Sequence, residues 1–309
     1  MISFFTDPRF PRIALGIERE SITAVELVRE AGRFTVQRAA TIELPPGLVR
    51  PSFTEKNISD HAQFRHFLNE ALTVSGLLDQ KAWSVSLPGN TARCAILSFE
   101  KSALEKGSYD EIIDWKAEQS FGAPAPELRI QREKIATEEG RVRFFATAVK
   151  LSVLDEYESS FESLGIKAGM IIPRALSELK WLYAGNAFVD SLLISSQDDG
   201  FTALLLHDGE PAVVRSVTCT PSEQDDEIFR LLMFYRDRFA EGEGEFRLGR
   251  MMSVGRTFVP AKLREISAEA LGSPVDVLSA EDVGLSMPQG GFDFHDLAAP
   301  AGLATFGFR

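Results

Sequence analysis

Apolar positions in the first third of the chain fall into two periods. Ile13 to Ile17, Ser21 to Glu30 and Arg33 to Leu44 mix apolar and β-branched residues at strand length, and Ala31-Gly32 supplies a turn between the last two. They predict three consecutive antiparallel strands. After a loop over Pro45 to Asp60, the spacing changes. Phe64, Phe67, Leu68, Ala71 and Leu72 recur at intervals of three and four within His61 to Leu78, which predicts an amphipathic helix with Asp60 as its N-cap. Ala82 to Leu87 follows as a strand, ended by Pro88-Gly89.

From Cys94 to Ile172 the predicted order is strand, helix, strand, strand, helix, strand. The helices are Tyr109 to Phe121, with Ile112, Ile113, Ala117 and Phe121 apolar, and Ser152 to Leu164, closed by Gly165. The intervening strands are Leu128 to Ala136 and Val142 to Val149, separated by the polar turn Thr137 to Gly140. The segment has the character of an inserted small domain, and Pro173 to Ala184 then returns to a helix. Trp115 and Phe234, on helical faces, are expected to be core residues, since large aromatics are most often buried.

Ser191 to Ser196, Phe201 to His207 and Glu210 to Val217 repeat the three-strand pattern of the first segment, with Asp208-Gly209 as a tight hairpin turn. The helix of this second copy is Glu223 to Phe239, with Ile228, Leu231, Leu232, Tyr235 and Phe239 on one face. A loop over Met251 to Thr257, a helix over Ala261 to Leu271 and a strand over Val275 to Leu278 complete it. Two copies of a βββαβα unit define an α/β chain of the actin-like ATPase (ribonuclease H-like) fold, in which nucleotide sits between the copies. The expected division is 1–93 with 173–190 as the first domain, 94–172 as the insertion, and 191–309 as the second domain.

Composition narrows the function. The 309 residues are 44% hydrophobic and 25% charged, enough for cores in more than one domain. A net charge of -12 with no basic block disfavours nucleic acid and anionic lipid as partners, because neutralising phosphates needs clustered Lys and Arg. Met1 to Pro11 lacks the charged n-region and apolar h-region of a secretory signal. It reads as an ordered arm or frayed terminus, the alternative being a membrane-touching or self-association segment. No apolar run approaches the roughly 20 residues of a spanning helix, so no transmembrane segment is expected. Cys94 and Cys219 suit reduced core thiols, and His61, His66, His207 and His295 show no metal-ligand spacing with them or with one another. No nucleophile elbow, Walker loop or dinucleotide fingerprint occurs, and Asp110, Glu111 and Asp114 read as charges that favour a helix start.

Dispersed patches resemble the PilM family of type IV pilus assembly proteins, and more distantly the cell-division protein FtsA. Ala24-Val25-Glu26-Leu27 is similar to the end of the family's second strand, and Ser86-Leu87-Pro88-Gly89 to its Leu-Pro-Gly turn. Ile113-Asp114-Trp115-Lys116-Ala117-Glu118-Gln119 resembles the Trp-x-Ala-Glu-Gln helix of the family's inserted 1C subdomain and is the most specific patch. Phe145 to Lys150 and Glu156 to Ile172 are similar to the rest of that subdomain. Glu227-Ile228-Phe229-Arg230 with Phe234-Tyr235 resembles the Glu-Ile-x-Arg helix ending in Phe-Tyr, and Ala299-Pro300 to Ala304 the closing helix.

The resemblance implies where nucleotide would bind. Actin-like ATPases hold phosphates on two hairpins, each with an Asp followed two residues later by Gly; the Asp positions magnesium and the Gly lets the backbone approach. A gapless alignment through Ser21 and Glu26-Leu27 puts Gly16 at the first Asp, Glu18 at its Gly and Thr23 at the usual Lys. Shifting by two residues places Glu18 on the acidic position instead, with a shortened hairpin. In the second hairpin Ser195 falls on the Asp and Gln197 on the Gly, with Asp198, Asp199 and Gly200 nearby as a solvated turn. Ser253-Val254-Gly255 keeps one of the paired glycines of the adenosine loop. A Glu18 carboxylate about 4 Å from a phosphate charge would repel it by roughly 4 kcal/mol at an effective dielectric near 20, against the roughly 8 kcal/mol of micromolar binding. The implied cofactor is none, or ATP with Mg if the degenerate loops still bind it.

The resemblance therefore implies a cytoplasmic scaffold of a type IV pilus or type II secretion inner-membrane platform, with little or no ATPase activity. Its partner would be the cytoplasmic tail of a PilN-like inner-membrane protein, through which it is peripheral to the membrane; other platform proteins are further candidates. The tail would lie beside the insertion, against Ile96, Leu97, Phe99, Ile113 and Lys116. The alternative is an active ATP-dependent switch or kinase of the same fold.

Overall fold

In the computed structural model, residues 10–102, 109–135, 140–184, 189–239 and 248–308 are described. The expectation for Met1 to Pro11 falls mostly, and that for the Thr137 to Gly140 turn almost wholly, outside them.

The first unit opens with β1 (Ile13–Ile17), β2 (Ser21–Glu30), β3 (Arg33–Glu43), α1 (His61–Val74) and β4 (Ala82–Leu87). The second opens with β9 (Asp190–Gln197), β10 (Gly200–His207), β11 (Glu210–Thr218), α5 (Gln224–Phe239) and β12 (Leu248–Val254), followed by α6 (Pro260–Leu271) and β13 (Asp276–Val277). Local chemistry sets the boundaries. Asp60 caps α1 by accepting from the Ala62 and Gln63 backbone N–H groups at 2.9 and 3.0 Å. The hairpins β2–β3 and β10–β11 turn through Ala31-Gly32 (φ 48° and 84°) and Asp208-Gly209 (φ 50° and 78°), the paired positive φ values that suit the strand twist.

Between β4 and the return to the first unit lie β5 (Ala92–Glu100), α2 (Tyr109–Phe121), β6 (Leu128–Ile135) and β7 (Arg141–Lys150). They form a separate three-stranded sheet, β5-β7-β6, with α2 on one face. The chain then runs through α3 (Leu151–Ser163), β8 (Lys167–Pro173) and α4 (Arg174–Leu179), and after β13 through β14 (Leu285–Ser286) and α7 (Phe294–Ala304).

The two large sheets share a strand order. The first is β14-β3-β2-β1-β4-β8 and the second β11-β10-β9-β12-β13, so β3-β2-β1-β4-β8 matches β11-β10-β9-β12-β13 strand for strand. In each, three antiparallel strands are followed by two parallel ones. The insertion expected at 94–172 is shorter as a separate sheet. β8 pairs in parallel with β4, and Val153, Leu154, Tyr157 and Phe161 of α3 share a core with Leu15, Phe64 and Trp83 of the first unit. A parallel neighbour for β4 requires a crossover, and α3 supplies it.

Helices and sheets alternate as five layers: α1 and α3, the first sheet, α4 and α7, the second sheet, then α5 and α6. Both inner strands are covered on both faces, which is why β1 and most of β9 are buried without alternation. Residue parity still decides direction. Ile13, Leu15 and Ile17 face α1 and α3, whereas Ala14 and Gly16 face the middle layer, Gly16 against Pro300. In β9, Leu192 and Ile194 face α5 and α6, and Leu193 faces the middle layer. Two expected core aromatics are not core: Trp115 is 60% and Phe234 44% exposed. Each sits on the outward face of a helix whose inward face is already filled, by Ile113, Ala117 and Phe121 in α2 and by Ile228, Leu231 and Tyr235 in α5.

Candidate functional site

The tips of the β1–β2 and β9–β10 hairpins face each other across a cleft of about 610 Å³, whose walls include Glu18, Ser21, Arg174, Asp198, Gly255 and Arg256. Thus the elements expected to surround a nucleotide do converge. The residues at the positions expected for metal and phosphate are engaged with other parts of the protein.

Gly16 and Ser195 occupy the two strand positions expected to carry metal-positioning carboxylates. A β-carbon on Gly16 would stand 3.0 Å from Cδ and 3.1 Å from Cγ of Pro300, so the ring of α7 takes the space a side chain would need. Ser195 is buried, and its hydroxyl acts on the carboxylate of Glu178 in α4. Gly200 is held against β11, since a β-carbon there would lie 1.8 Å from the Val217 carbonyl oxygen. Gly255 backs onto the second hairpin: its β-carbon would meet Cβ of Ser196 at 2.4 Å. Gln197 turns inward, donating to the Thr202 hydroxyl and packing its Cγ near Gly89 of the first unit. Gly16, Gly200 and Gly255 are thus each set against other parts of the protein.

A buried arginine stands in the cleft wall. Arg174 is buried and bridges two carboxylates, donating to Glu18 at 2.8 Å and to Glu178 at 2.6 Å. Burial pushes Glu18 up to about 7, against the pull of Arg174 and with Glu178 pushing further. Glu178 is also raised by burial, with Arg174 and Ser195 opposing. The repulsion expected from Glu18 is therefore offset within the protein. Carboxylates still outnumber guanidiniums along the walls, with Glu18, Glu20, Glu43, Asp198 and Asp296 against Arg19, Arg174 and Arg256.

Two further contacts join the second hairpin to the first unit: Arg19 of the first hairpin and Asp198 approach to 3.8 Å, and the Asn90 amide, in the β4–β5 connection, donates to Asp199 at 2.6 Å. Asp198 and Asp199 form the exposed turn expected, and each reaches a residue of the first unit. At the start of α7, Asp293, His295 and Asp296 bring one ligand atom each within 4.8 Å of one another. Arg256 donates to both His295 and Asp296, so two of the three groups already hold a guanidinium. A search for His spaced with Cys or His passes over this Asp-x-His-Asp run. Arg174 and Glu178 were also missed, although their i,i+4 spacing after Pro173 is visible as a helical ion pair.

Of the residues expected to hold a partner tail, Leu97, Phe99 and Ile113 are buried in the core of the small sheet, at 1%, 7% and 0% exposure. They cannot form a contact surface. Ile96 and Lys116 are half-buried, and β5 lies against β11 of the second sheet, where Arg143 donates to the Ala212 carbonyl at 3.2 Å. The accessible groove of the small sheet is on its other edge, where Trp115 stands over β6.

No protein-family model matches the chain, and no curated protein sequence does. Solved structures match over nearly its whole length. The PilM–PilN type IV pilus biogenesis complex aligns with a TM-score of 0.75 at 15% identity, covering 98% of this chain and 100% of the other. A Bacteroides thetaiotaomicron protein with an actin-like ATPase fold aligns at 0.52 and 11% identity, covering 99% of both. The cytoplasmic domain of EpsL, an inner-membrane component of the Vibrio cholerae type II secretion system, aligns at 0.47 and 10% identity, covering 96% and 94%. With its paired sheets, its small inserted sheet and its facing hairpins, the chain has the actin-like ATPase fold in an arrangement similar to that of PilM.

Proposed function

We propose that this protein is a scaffold on the cytoplasmic side of a type IV pilus or related type II secretion inner-membrane platform, that it binds the cytoplasmic tail of a PilN-like protein, and that it hydrolyses little or no ATP. Among the described residues no helix is long and apolar enough to cross a membrane, which suits attachment through a partner. The observation that carries the reading is the Arg174 bridge. A guanidinium held by Glu18 and Glu178 lines the cleft that the resemblance assigns to metal and phosphate, and a fixed protein cation there supports a site without either. The adjoining Gly16 position is closed by Pro300. Similarity to a solved PilM–PilN complex supports the choice of partner.

The size of the cleft favours a second reading, an ATP-dependent switch or kinase, because about 610 Å³ lies within the range of small-molecule sites. Two titrations separate the readings. Calorimetry with ATP and magnesium should show no binding, while a peptide of the cytoplasmic tail of the PilN-like protein from the same genome should bind saturably. Micromolar ATP binding with no tail binding would reverse the assignment.

A further inference from the structure

Two fixed turns meet at the inner end of the cleft. On the first unit, Pro88-Gly89-Asn90-Thr91 leads from β4 into β5 and is closed by the Thr91 N–H on the Pro88 carbonyl at 3.4 Å. Buried Thr91 pins it from beneath, donating its hydroxyl to Asn57 at 3.1 Å. Asn90 is thereby held at a φ of 64°, a left-handed conformation that Asn tolerates better than most residues and that persists where the surroundings enforce it. On the second unit, the tip of the β9–β10 hairpin is pinned as well, since the Asp199 carbonyl accepts from the Cys219 N–H at 2.9 Å. The two turns touch at adjacent residues. A β-carbon on Gly89 would stand 2.9 Å from Cγ of Gln197, whose amide is itself bound to Thr202, and the Asn90 amide donates to Asp199 at 2.6 Å. Beside these contacts lies a polar cavity of about 80 Å³; four of its lining residues, Glu18, Arg174, Ser196 and Asp198, also line the cleft.

We propose that these turns form a latch that holds the cleft shut without a ligand, with Asn90 on Asp199 as its catch. α4 and α7 lie between the two sheets, so rotation of one unit against the other about that layer moves the hairpin tips. Where a bound ligand would otherwise bridge the two units, the chain bridges them with its own side chains. The hydrogen bond to Asp199 is charge-assisted and stronger than a neutral one. The 3.8 Å approach of Arg19 to Asp198, both partly exposed, adds little. Charge around the catch works against closure, with Glu18, Glu20, Asp198 and Asp199 opposed by Arg19 and Arg174, so loss of the amide releases it. The latch concerns how the cleft closes and stands or falls apart from the platform reading.

The test measures the distance between the units by pulsed dipolar spectroscopy. Spin labels are placed at Ala62→Cys on α1 and Ala261→Cys on α6, both exposed, with Cys94→Ala and Cys219→Ala in the background. With the native latch, one narrow distribution is expected, unchanged by ATP with magnesium. Asn90→Gly suits the φ of 64° and removes only the amide; it should broaden the distribution and speed amide exchange at the hairpin tip about tenfold. Asn90→Asp sets two carboxylates face to face and should shift the distribution furthest, whereas Asn90→Lys sets a cation against Asp199 and should keep it narrow. Gly89→Ala wedges a methyl group against Gln197 and should open the cleft with every charge in place. Identical distributions for wild type, Asn90→Asp and Gly89→Ala would overturn the proposal. So would opening by Asn90→Lys equal to that by Asn90→Asp, which would make the effect general loosening of the turn. A broad wild-type distribution that ATP with magnesium narrows would also overturn it, giving closure to a ligand.

Discussion

Arg174 and Glu18 meet at 2.8 Å although 156 residues separate them in the chain, and the same guanidinium holds Glu178 at 2.6 Å. One cation thus serves two carboxylates, one of them fully buried. Removing it leaves both without a counter-charge. Arg174→Met is expected to cost about 3–5 kcal/mol, the range for breaking a buried ion pair from one side, as read from urea denaturation at pH 7.5. Unchanged stability would mean that solvent reaches Glu178.

The same cluster sets a pH dependence. Glu18 titrates near 7 in the folded protein against an ordinary 4.5, so between those values the folded state binds more protons than the unfolded one. Its contribution to stability is fully present below pH 4.5 and is lost as pH rises through 7. Glu178 acts in the same direction. Asp296, whose pKa is lowered by His295 and Arg256 despite burial, acts in the opposite direction at pH values below 4 and does not interfere. Melting temperature should therefore fall between pH 5 and pH 8. In Glu18→Gln the slope should be shallower, with Glu178 and Arg174 left as a balanced pair.

Restoring the missing acid should not restore the site. Gly16→Asp places its β-carbon 3.0 Å from the Pro300 ring, an overpacking expected to cost about 1–3 kcal/mol. Titration with ATP and magnesium should detect no binding to the variant, and differential scanning calorimetry should show its lower melting temperature. Gain of nucleotide binding would show that α7 yields readily and that the site was lost by a single change.

Close approach of α7 to α4 gives a sharper test. A β-carbon on Gly302 would fall 2.1 Å from the carbonyl oxygen of Ser177, backbone against backbone, so no rotamer change relieves it. Gly302→Ala should destabilise by more than about 3 kcal/mol or prevent folding. Gly272→Ala serves as the control: nothing lies within 4 Å there, and its φ of 81° adds backbone strain of only about 1–2 kcal/mol. Parity of the two melting temperatures would contradict the packing described.

The duplicated strand order could be read from the sequence because it is encoded locally, by strand-length apolar runs and by Ala31-Gly32 and Asp208-Gly209, whose φ values the hairpins require. Asp60 likewise announces α1 within three residues. Contacts that define the cleft are not local. Nothing near Gly16 signals Pro300, and nothing near Glu18 signals Arg174. The extent of the insertion was misjudged for a related reason, since the pairing of β8 with β4 depends on what lies outside the segment. Trp115 was misassigned because a helix has two sides. Ile113, Ala117 and Phe121 fill one, and Trp115 lies with Asp114 and Glu118 on the other.

Residues 294–304 lie late in the chain, yet α7 sits in the middle layer, its Pro300 against Gly16 and its Trp181-bound Ala298 carbonyl at 2.7 Å inside that core. During synthesis, then, the inner face of β1 and β2 must wait until residues 294–304 have been made. Ala14, Val25 and Leu27 remain uncovered until α7 arrives, while the outer core built by α1 and α3 can close much earlier. Such long-range closure slows folding and prolongs exposure of apolar strands. The helix that closes off the Gly16 position thus also sets when this core can finish folding, and a nascent chain lacking it would present a half-covered sheet to chaperones.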